Sequence, residues 1–556
     1  MLKSRPNFET LGVQLVALMT ALMGIVNVLS AVTPSVISRL RLLEKYSPLE
    51  VSRGGHLTSA LAGFALLVLS VSLWRRKRLG WLLTLGILVI SIVAHLLKGL
   101  DYEEAILATM LAGILIIQRS HFHARSDEPS IKQGLQLVAA SLGFTLAYGV
   151  LGFYLLDRHY SVNFGFWAAV RQTVVMFTEF YNPGLQPITG FGRYFAASIY
   201  FVGAATMGYA LLILLRPVLA RQHATQEERA HAWEVVRQYG HTPLARYALL
   251  DDKLFFFSAG GSVISYVVEN RVALVLGDPI GPVEDVASAI SAFKAFCALN
   301  DWLPAFYQTL PDYLEVYRKA KFEALPLGQE AILDLKKFTL EGGENKNIRN
   351  AHSKMVRNGY KSEVIEPPFS QRMLRELNAI SDDWLSSRGV SEMRFSLGWF
   401  DEAYLNTCSI LLIRDREGFI DAFANIVTEF QSNEVTIDMM RHRHYSEKGI
   451  MDFLFVSLFQ WAKEKGYERF NLGLSAFSGI GAGESDRVIE RGLSYIYQNV
   501  NRFYNFKGLH AFKEKFHPDW SLRYLIYPNA AALPEVSVSL LRANLGGRLF
   551  SLFSKN

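Results

Sequence analysis

Cysteine is nearly absent: Cys297 and Cys408 are the only two in 556 residues. They stand far apart without metal-type spacing, which argues against a disulfide framework and fits a reducing compartment for any soluble part. Charge is sparse as well, 19% of residues against 50% hydrophobic, which places at least part of the chain in a bilayer. Acids number 51 against 57 lysines and arginines. That excess favours anionic partners such as nucleic acid or acidic lipid, although topology signals also enrich cations in membrane proteins. A cleavable signal peptide is not expected, because the first apolar run is long enough to span.

Apolar runs of spanning or near-spanning length lie at about 10–32, 57–74, 80–97, 103–118, 133–156 and 195–215, against the roughly 20 residues a spanning helix needs. Lys3 and Arg5 precede the first run, Arg75-Arg76-Lys77-Arg78 separates the second and third, and Arg119, Arg125 and Lys132 follow the fourth. The loop before the fourth carries Asp101, Glu103 and Glu104 instead. By the positive-inside rule both termini are cytoplasmic. Between the fifth and sixth runs, YSVNFGFWAAVRQTVVMFTEFYNPGLQP reads as an interfacial or re-entrant helix ending at Pro183. His95, Lys98 and Glu179 either do polar work at the membrane or simply snorkel.

After Arg216-Pro217 the composition turns polar. A helical linker over 222–239 leads into alternating strands and helices. VISYVVEN and RVALVLGDPIGP read as strands closed by a Gly/Pro turn, and a helix follows near 283–299. A second alternating block starts near 368 and runs to the strand SLRYLIYP. The expectation is two α+β units, each with a mostly antiparallel sheet. Between them, ENKNIRNAHSKMVRNGY puts Lys346, Arg349, Lys354 and Arg357 on one broad helical face, opposite Ile348, Ala351 and Met355. That face is either simply solvated or tracks RNA phosphates.

Four stretches carry a resemblance: IDMMRH (437–442), GIMDFLFVSLFQWAKEKGYERFNLGLSAFSG (449–479), FYNFKGLHAFKEKF (503–516) and RYLIYP (523–528). With FSLGWFDEAYL (395–405) and GDPIGP (277–282), they closely resemble the synthase domain of the phosphatidylglycerol lysyltransferase, or multiple peptide resistance factor, family. The resemblance implies a multi-pass helical membrane region over 1–220, followed by two fused acyltransferase folds of the acetyltransferase (GNAT) type. These would be a first domain over 221–365, a second over 366–535 with the active site, and an amphipathic tail over 536–556. It implies transfer of an aminoacyl group, lysyl foremost, from aminoacyl-tRNA to a glycerol hydroxyl of phosphatidylglycerol. The site would face the cytoplasm at a bacterial inner membrane, and the product would lower surface negative charge and resist cationic peptides. Full-length members carry a flippase region with more spans, so this chain resembles a shortened form. Another lipid or cell-wall acceptor, or a flippase with a sensory acyltransferase-like part, are the alternatives; homo-oligomerisation stays open.

No cofactor is expected, because the tRNA ester is already activated. The coenzyme A alternative wants a glycine-rich loop opening the helix after the central strand, whereas HRHYSEKGIMDF offers only Gly449. Asp438 at a strand end suits a substrate ammonium, and Arg441 at the strand exit a carbonyl or phosphate oxygen; a structural Asp–Arg pair is the alternative. Glu490, in VIERGL, resembles a family acid or is a helix-surface charge. Leu509, Phe512 and Phe516 recur at helical spacing and should pack inward, fixing Lys513 and Lys515 beside them, with Lys507 at a turn made by Gly508. These lysines, with Arg523, are expected to bind substrate phosphate or the oxyanion, Lys513 foremost, unless the face is merely solvated. His442 and His444 invite a zinc reading, but no third ligand of suitable spacing follows, so no metal is expected. The tail after Pro534, with Arg542, Arg548 and Lys555, either lies on anionic lipid or packs as a helix.

Overall fold

The computed structural model describes residues 8–32, 49–99, 101–122 and 165–178, scattered positions between 124 and 208, and 223–546 apart from 390–391, 431–432, 477 and 479–505. The chain forms two compact units, the second beginning at Ala220.

The first unit contains α1 (Phe8–Val32), α2 (Leu49–Trp74), α3 (Arg78–Gly99), α4 (Tyr102–Ile117) and α5 (Phe166–Thr178). The first four coincide with the first four apolar runs, and α5 with the segment read as interfacial. The fifth and sixth runs lie almost wholly outside the described residues. Val13, Val16, Leu66, Leu73, Leu88, Leu111 and Leu115 form the shared core. On α1 the other face carries Leu11, Leu15, Leu18, Leu22 and Leu29, each about half exposed; a stripe at this spacing is one side of a helix. Among the described residues one segment, Arg78–Leu96, is long and apolar enough to cross a membrane, while Leu11–Asn27 and Ala62–Trp74 are shorter apolar stretches. His95 is fully buried, with Nε2 2.9 Å from Asn27 Oδ1, and Asn27 donates to Ser91 Oγ at 2.7 Å. The side chain of Lys98, and Glu179 entirely, fall outside the described residues.

The second unit opens with α6 (Gln226–Tyr239), whose N-terminus is closed by a reciprocal Thr225–Glu228 capping box. Then come α7 (Leu244–Tyr247), β1 (Leu254–Phe257), β2 (Val263–Glu269), β3 (Val272–Leu276), α8 (Val286–Leu299), β4 (Leu303–Thr309), α9 (Leu314–Lys319) and β5 (Glu323–Asp334). The basic helix α10 (Lys346–Arg357), β6 (Lys361–Ile365), α11 (Gln371–Arg388) and α12 (Glu402–Leu405) lead into the second half. That half holds β7 (Ser409–Arg414), β8 (Ile420–Thr428), β9 (Glu434–Thr436), β10 (Met440–His442), α13 (Ile450–Glu464), β11 (Arg469–Ala476), α14 (Phe506–Glu514), β12 (Asp519–Tyr527) and α15 (Leu533–Asn544).

Two separate sheets do not form. All these strands join one sheet in the order β1-β2-β3-β4-β12-β5-β11-β9-β8-β7-β6, with β10 on β8. The halves are nevertheless built alike. In each, a helix crosses between two parallel strands, β3 and β4 over α8, β9 and β11 over α13; a short helix and one more strand then follow. Those last strands are exchanged: β5, from the first half, pairs with β11, and β12, from the second, pairs with β4. β5 and β12 lie antiparallel at the centre. A cut at residue 365 therefore does not divide the sheet.

The core explains why the exchange holds. From β8, Ile420 to Val427 is buried on both faces, as a central strand must be. Helix α13 buries Phe453, Phe455 and Phe459, and Phe459 meets Phe516 edge-on with centroids 5.1 Å apart. Phe512 lies tilted against Phe455 with centroids 5.3 Å apart, so the aromatic stripe running from α14 to Phe516 packs inward as its spacing predicts, a fully buried ring contributing about 2–3 kcal/mol. Helix α15 packs on β2 and β3, burying Val536, Ser539 and Ala543. Of the expected tail, Val536–Asn544 is thus a packing helix, and 547–556 lies outside the described residues.

Candidate active site

Beyond Thr436 the chain leaves β9, and Asp438 turns into a pocket built by the stretch before α12. Asp438 Oδ2 accepts the Gly398 N–H at 2.9 Å and the Tyr404 O–H at 2.5 Å. Oδ1 is buried and has no hydrogen-bond partner among the described residues. Burial pushes the Asp438 carboxyl up, and the Tyr404 hydroxyl, the Asn425 side chain and the Gly398 and Met439 amides pull it back. Asn425 fixes the neighbouring backbone by accepting the Met439 N–H at 2.8 Å. Tyr247 reaches the same pocket from α7: burial raises its hydroxyl well above the usual range, Asp438 adds to that, and the Thr436 side chain pulls it back. Glycine is required at 398, because a Cβ there would lie 2.2 Å from Asp438 Oδ2 and 2.3 Å from Tyr404 Cε1. Gly398→Ala should therefore abolish the site while the sheet stays folded. Near-unchanged circular dichroism with activity down at least about 100-fold is the expected outcome.

Lys513 lies in the last turn of α14 and is 5% exposed. Its Nζ donates to the carbonyls of Gly473 and Leu474 at 2.9 and 3.0 Å. These belong to β11 just past a bulge between Asn471 and Gly473, where Gly473 takes φ +79°, a conformation glycine adopts without a Cβ clash. Burial drives the Lys513 ammonium down to about 7, and Glu330 holds it from falling further. Lys513 is thus a buried amine, not the solvent-facing cation its lysine-rich surroundings imply.

Several expected partners are elsewhere. Arg441 makes no pair with Asp438; its Nη2 donates to Glu392 at 3.0 Å and its guanidinium sits 4.2 Å from the Trp384 ring centre. Lys515 is an outer-surface residue bonded to Asp452 at 3.0 Å. Arg523 is committed inside the sheet to Glu330, the Ser521 hydroxyl and the Leu522 carbonyl. Lys507 and Gly508 fall within α14, not at a turn, and the Lys507 side chain is outside the described residues, as is Glu490. His442 and His444 do not converge: His442 Nδ1 sits against the Arg443 carbonyl, and His444 bonds Asp383 at 2.8 Å. Among the described residues the His/Asp/Glu grouping of metal-ligand type is His95, Asp101 and Glu104, in the helical unit.

Residues 233–527 match the family model described as phosphatidylglycerol lysyltransferase, C-terminal. The chain belongs to the phosphatidylglycerol lysyltransferase family. The protein of that name from Bacillus subtilis is 30% identical over 495 residues, covering 89% of this chain and 55% of its own length. That from Staphylococcus xylosus is 32% identical over 58% of this chain and 38% of its own. The chain thus spans about half the length, or less, of these curated relatives. Among solved structures, L-PGS from Bacillus licheniformis is 34% identical with TM-score 0.54, covering 59% of this chain and 99% of that one. The C-terminal domain of a lysylphosphatidylglycerol synthetase from Agrobacterium fabrum gives 34% and 0.53, covering 58% and 98%.

Within this lysyltransferase-family domain the two halves carry unlike versions of one site. Asp278 is the second residue past β3, as Asp438 is past β9. The short helices α9 and α14 both close on a residue of positive φ, Lys321 and His517, which donates to the carbonyl three positions back, Arg318 and Glu514. Tyr317 stands four positions before that turn residue in the first half, Lys513 in the second. Tyr317 donates to Asp278 Oδ1 at 2.9 Å, and Leu310 N–H to Oδ2 at 2.8 Å. The first half therefore has a tyrosine where the second has its buried amine.

Sequence reasoning did not single out Gly398, Tyr404, Asn425, Tyr247 or Glu330. Two of them lie in FSLGWFDEAYL, already notable as a motif. For Lys513, its spacing of four from Leu509 and three from Phe516 was the available sign of burial.

Proposed function

We propose that this chain transfers a lysyl group from aminoacyl-tRNA to a glycerol hydroxyl of phosphatidylglycerol, with its helical unit in the bacterial cytoplasmic membrane. The observation that carries the reading is the pair of unlike buried groups, the Asp438 carboxylate with an acceptor oxygen to spare and the Lys513 amine near neutrality. Asp438 Oδ1 takes the α-ammonium of the aminoacyl donor. A neutral Lys513 spends its two N–H bonds on Gly473 and Leu474, so its lone pair points to the remaining position. That lone pair takes the proton of the acceptor hydroxyl as the new C–O bond forms, and returns it to the ribose oxygen as the tRNA ester bond breaks. The exchange of one ester for another needs no outside reagent. Each half supplies one acyltransferase-type crossover, and only the second has the amine.

The exposed leucine stripe of α1 and the span in α3 support embedding in lipid, where such a face loses its cost in water. Lysyl addition would make the headgroup cationic and weaken binding of cationic peptides. Extraction of lipids from cells expressing the chain tests the reading: a new ninhydrin-positive phospholipid with the mass of lysyl-phosphatidylglycerol is expected, and its absence would refute it.

The basic helix α10 buries Ile348 and Met355. Arg349 caps the preceding loop through Leu340 and Gly342, and Lys354 pairs with Glu447 at 2.6 Å. Lys346 and Arg357 are exposed, and we assign them to tRNA phosphates. Lys346→Ala with Arg357→Ala should weaken tRNA binding and reduce the slope of log affinity against log salt by about 2. An unchanged slope would remove this surface from the tRNA site.

A further inference from the structure

The exchanged strand β5 brings a carboxylate from the first half to the second half's amine. Glu330 lies opposite Leu474 of β11 in the ladder, and Leu474 is one of the two carbonyls that hold Lys513. On its other side Glu330 lies opposite Ser521 of β12, whose hydroxyl is bonded to Arg523. Glu330 is 5% exposed and Arg523 is 4% exposed, and they form a buried ion pair. We propose that Glu330 is a positioning residue of the transferase site: paired with Arg523 on the strand beside the carbonyls that hold Lys513, it sets the charge state of the amine, so the first half acts on the chemistry of the second.

The physical argument is one of balance. A buried amine with only carbonyl partners is strongly biased toward the neutral form, and one carboxylate nearby opposes that bias. Arg523 holds that carboxylate in place, and the Lys513 ammonium comes to rest at about 7. The other titratable groups facing Glu330 are Tyr247 from α7 and Glu434 from β9. Tyr247 is kept neutral by its burial. Glu434 is held by the Asn471 side chain at 2.9 Å and by Arg469. The arrangement also gives the strand exchange a chemical purpose, since β5 could not offer Glu330 to Lys513 if each half kept its own last strand.

This inference rests on Lys513 acting as the base, and its test separates the two. In the full chain in lipid nanodiscs, the rate at which acetic anhydride acetylates Lys513 is followed against pH by mass spectrometry, with no substrate present. In Glu330→Gln the midpoint should fall by about one pH unit relative to wild type. Because Arg523 then loses its partner, Glu330→Gln is also examined as Glu330→Gln/Arg523→Gln, which restores neutrality and should recover the melting temperature. In both variants, transfer at about pH 6, taken as a fraction of each protein's own plateau, should rise about fivefold over wild type. An unshifted acetylation midpoint in the double variant would overturn the proposal. A shifted midpoint with an unshifted transfer profile would keep Glu330's hold on the amine and instead dismiss Lys513 as the base.

Discussion

Lys513→Arg should lose about 10²–10⁴-fold in transfer rate although it keeps the positive charge. Arginine cannot be deprotonated in a protein, so it can neither accept the hydroxyl proton nor return it to the ribose. The wild-type profile follows from the same chemistry. Lys513 has its ammonium lowered to about 7, so the active neutral form is lost as pH falls below that value and is fully present above it. The rate constant kcat/KM should climb about tenfold per pH unit below roughly pH 6, reach half its plateau at about 7 and level off near about 8. Initial rates of lysyl-lipid formation across that range check both statements. A rate that declines with rising pH, together with an active Lys513→Arg, would mean that the residue serves as a fixed cation and not as a base.

Asp438→Asn should cost about 2–3 kcal/mol of donor recognition, roughly 30- to 150-fold in kcat/KM for the aminoacyl-tRNA. The amide keeps the size of the side chain and one acceptor oxygen but removes the charge proposed to pair with the α-ammonium. A modified donor isolates that term. N-acetyl-lysyl-tRNA has no α-ammonium, so wild type should lose on it about what Asp438→Asn loses on the normal donor, and the variant should lose little more. Tyr404→Phe removes one hydrogen bond to the same carboxylate and should show a smaller loss, about fivefold to tenfold. If wild type used the acetylated donor as well as the normal one, Asp438 would have no part in holding the amine.

These two residues show how differently a site can be written in a sequence. The strand-then-Asp pattern of VTIDMM placed Asp438 at a strand end without any tertiary information, since alternation fixes which side chains face the core. Its partners Gly398 and Tyr404 lie some forty residues earlier, and nothing in the local pattern links the two stretches. Arg441 illustrates the converse. It is three residues from Asp438, yet its ion pair is Glu392 and its ring contact Trp384, because β10 leaves β9 to pair with β8.

By itself the sequence determined the periodic features: the apolar runs of α1 to α4, the inward stripe of α14, the two faces of α10, the strands and the family. Each of these depends on spacing within one segment, where 3.6- and 2-residue repeats decide which side is buried. Only the tertiary structure decided that β5 and β12 change places, that Glu330 pairs with Arg523 on the strand next to the carbonyls holding Lys513, and that Lys513 is enclosed and Lys515 is not. Strand pairing across some two hundred residues depends on which edges close against which, and a side chain's charge depends on what surrounds it. Neither is encoded in the run of residues that carries it.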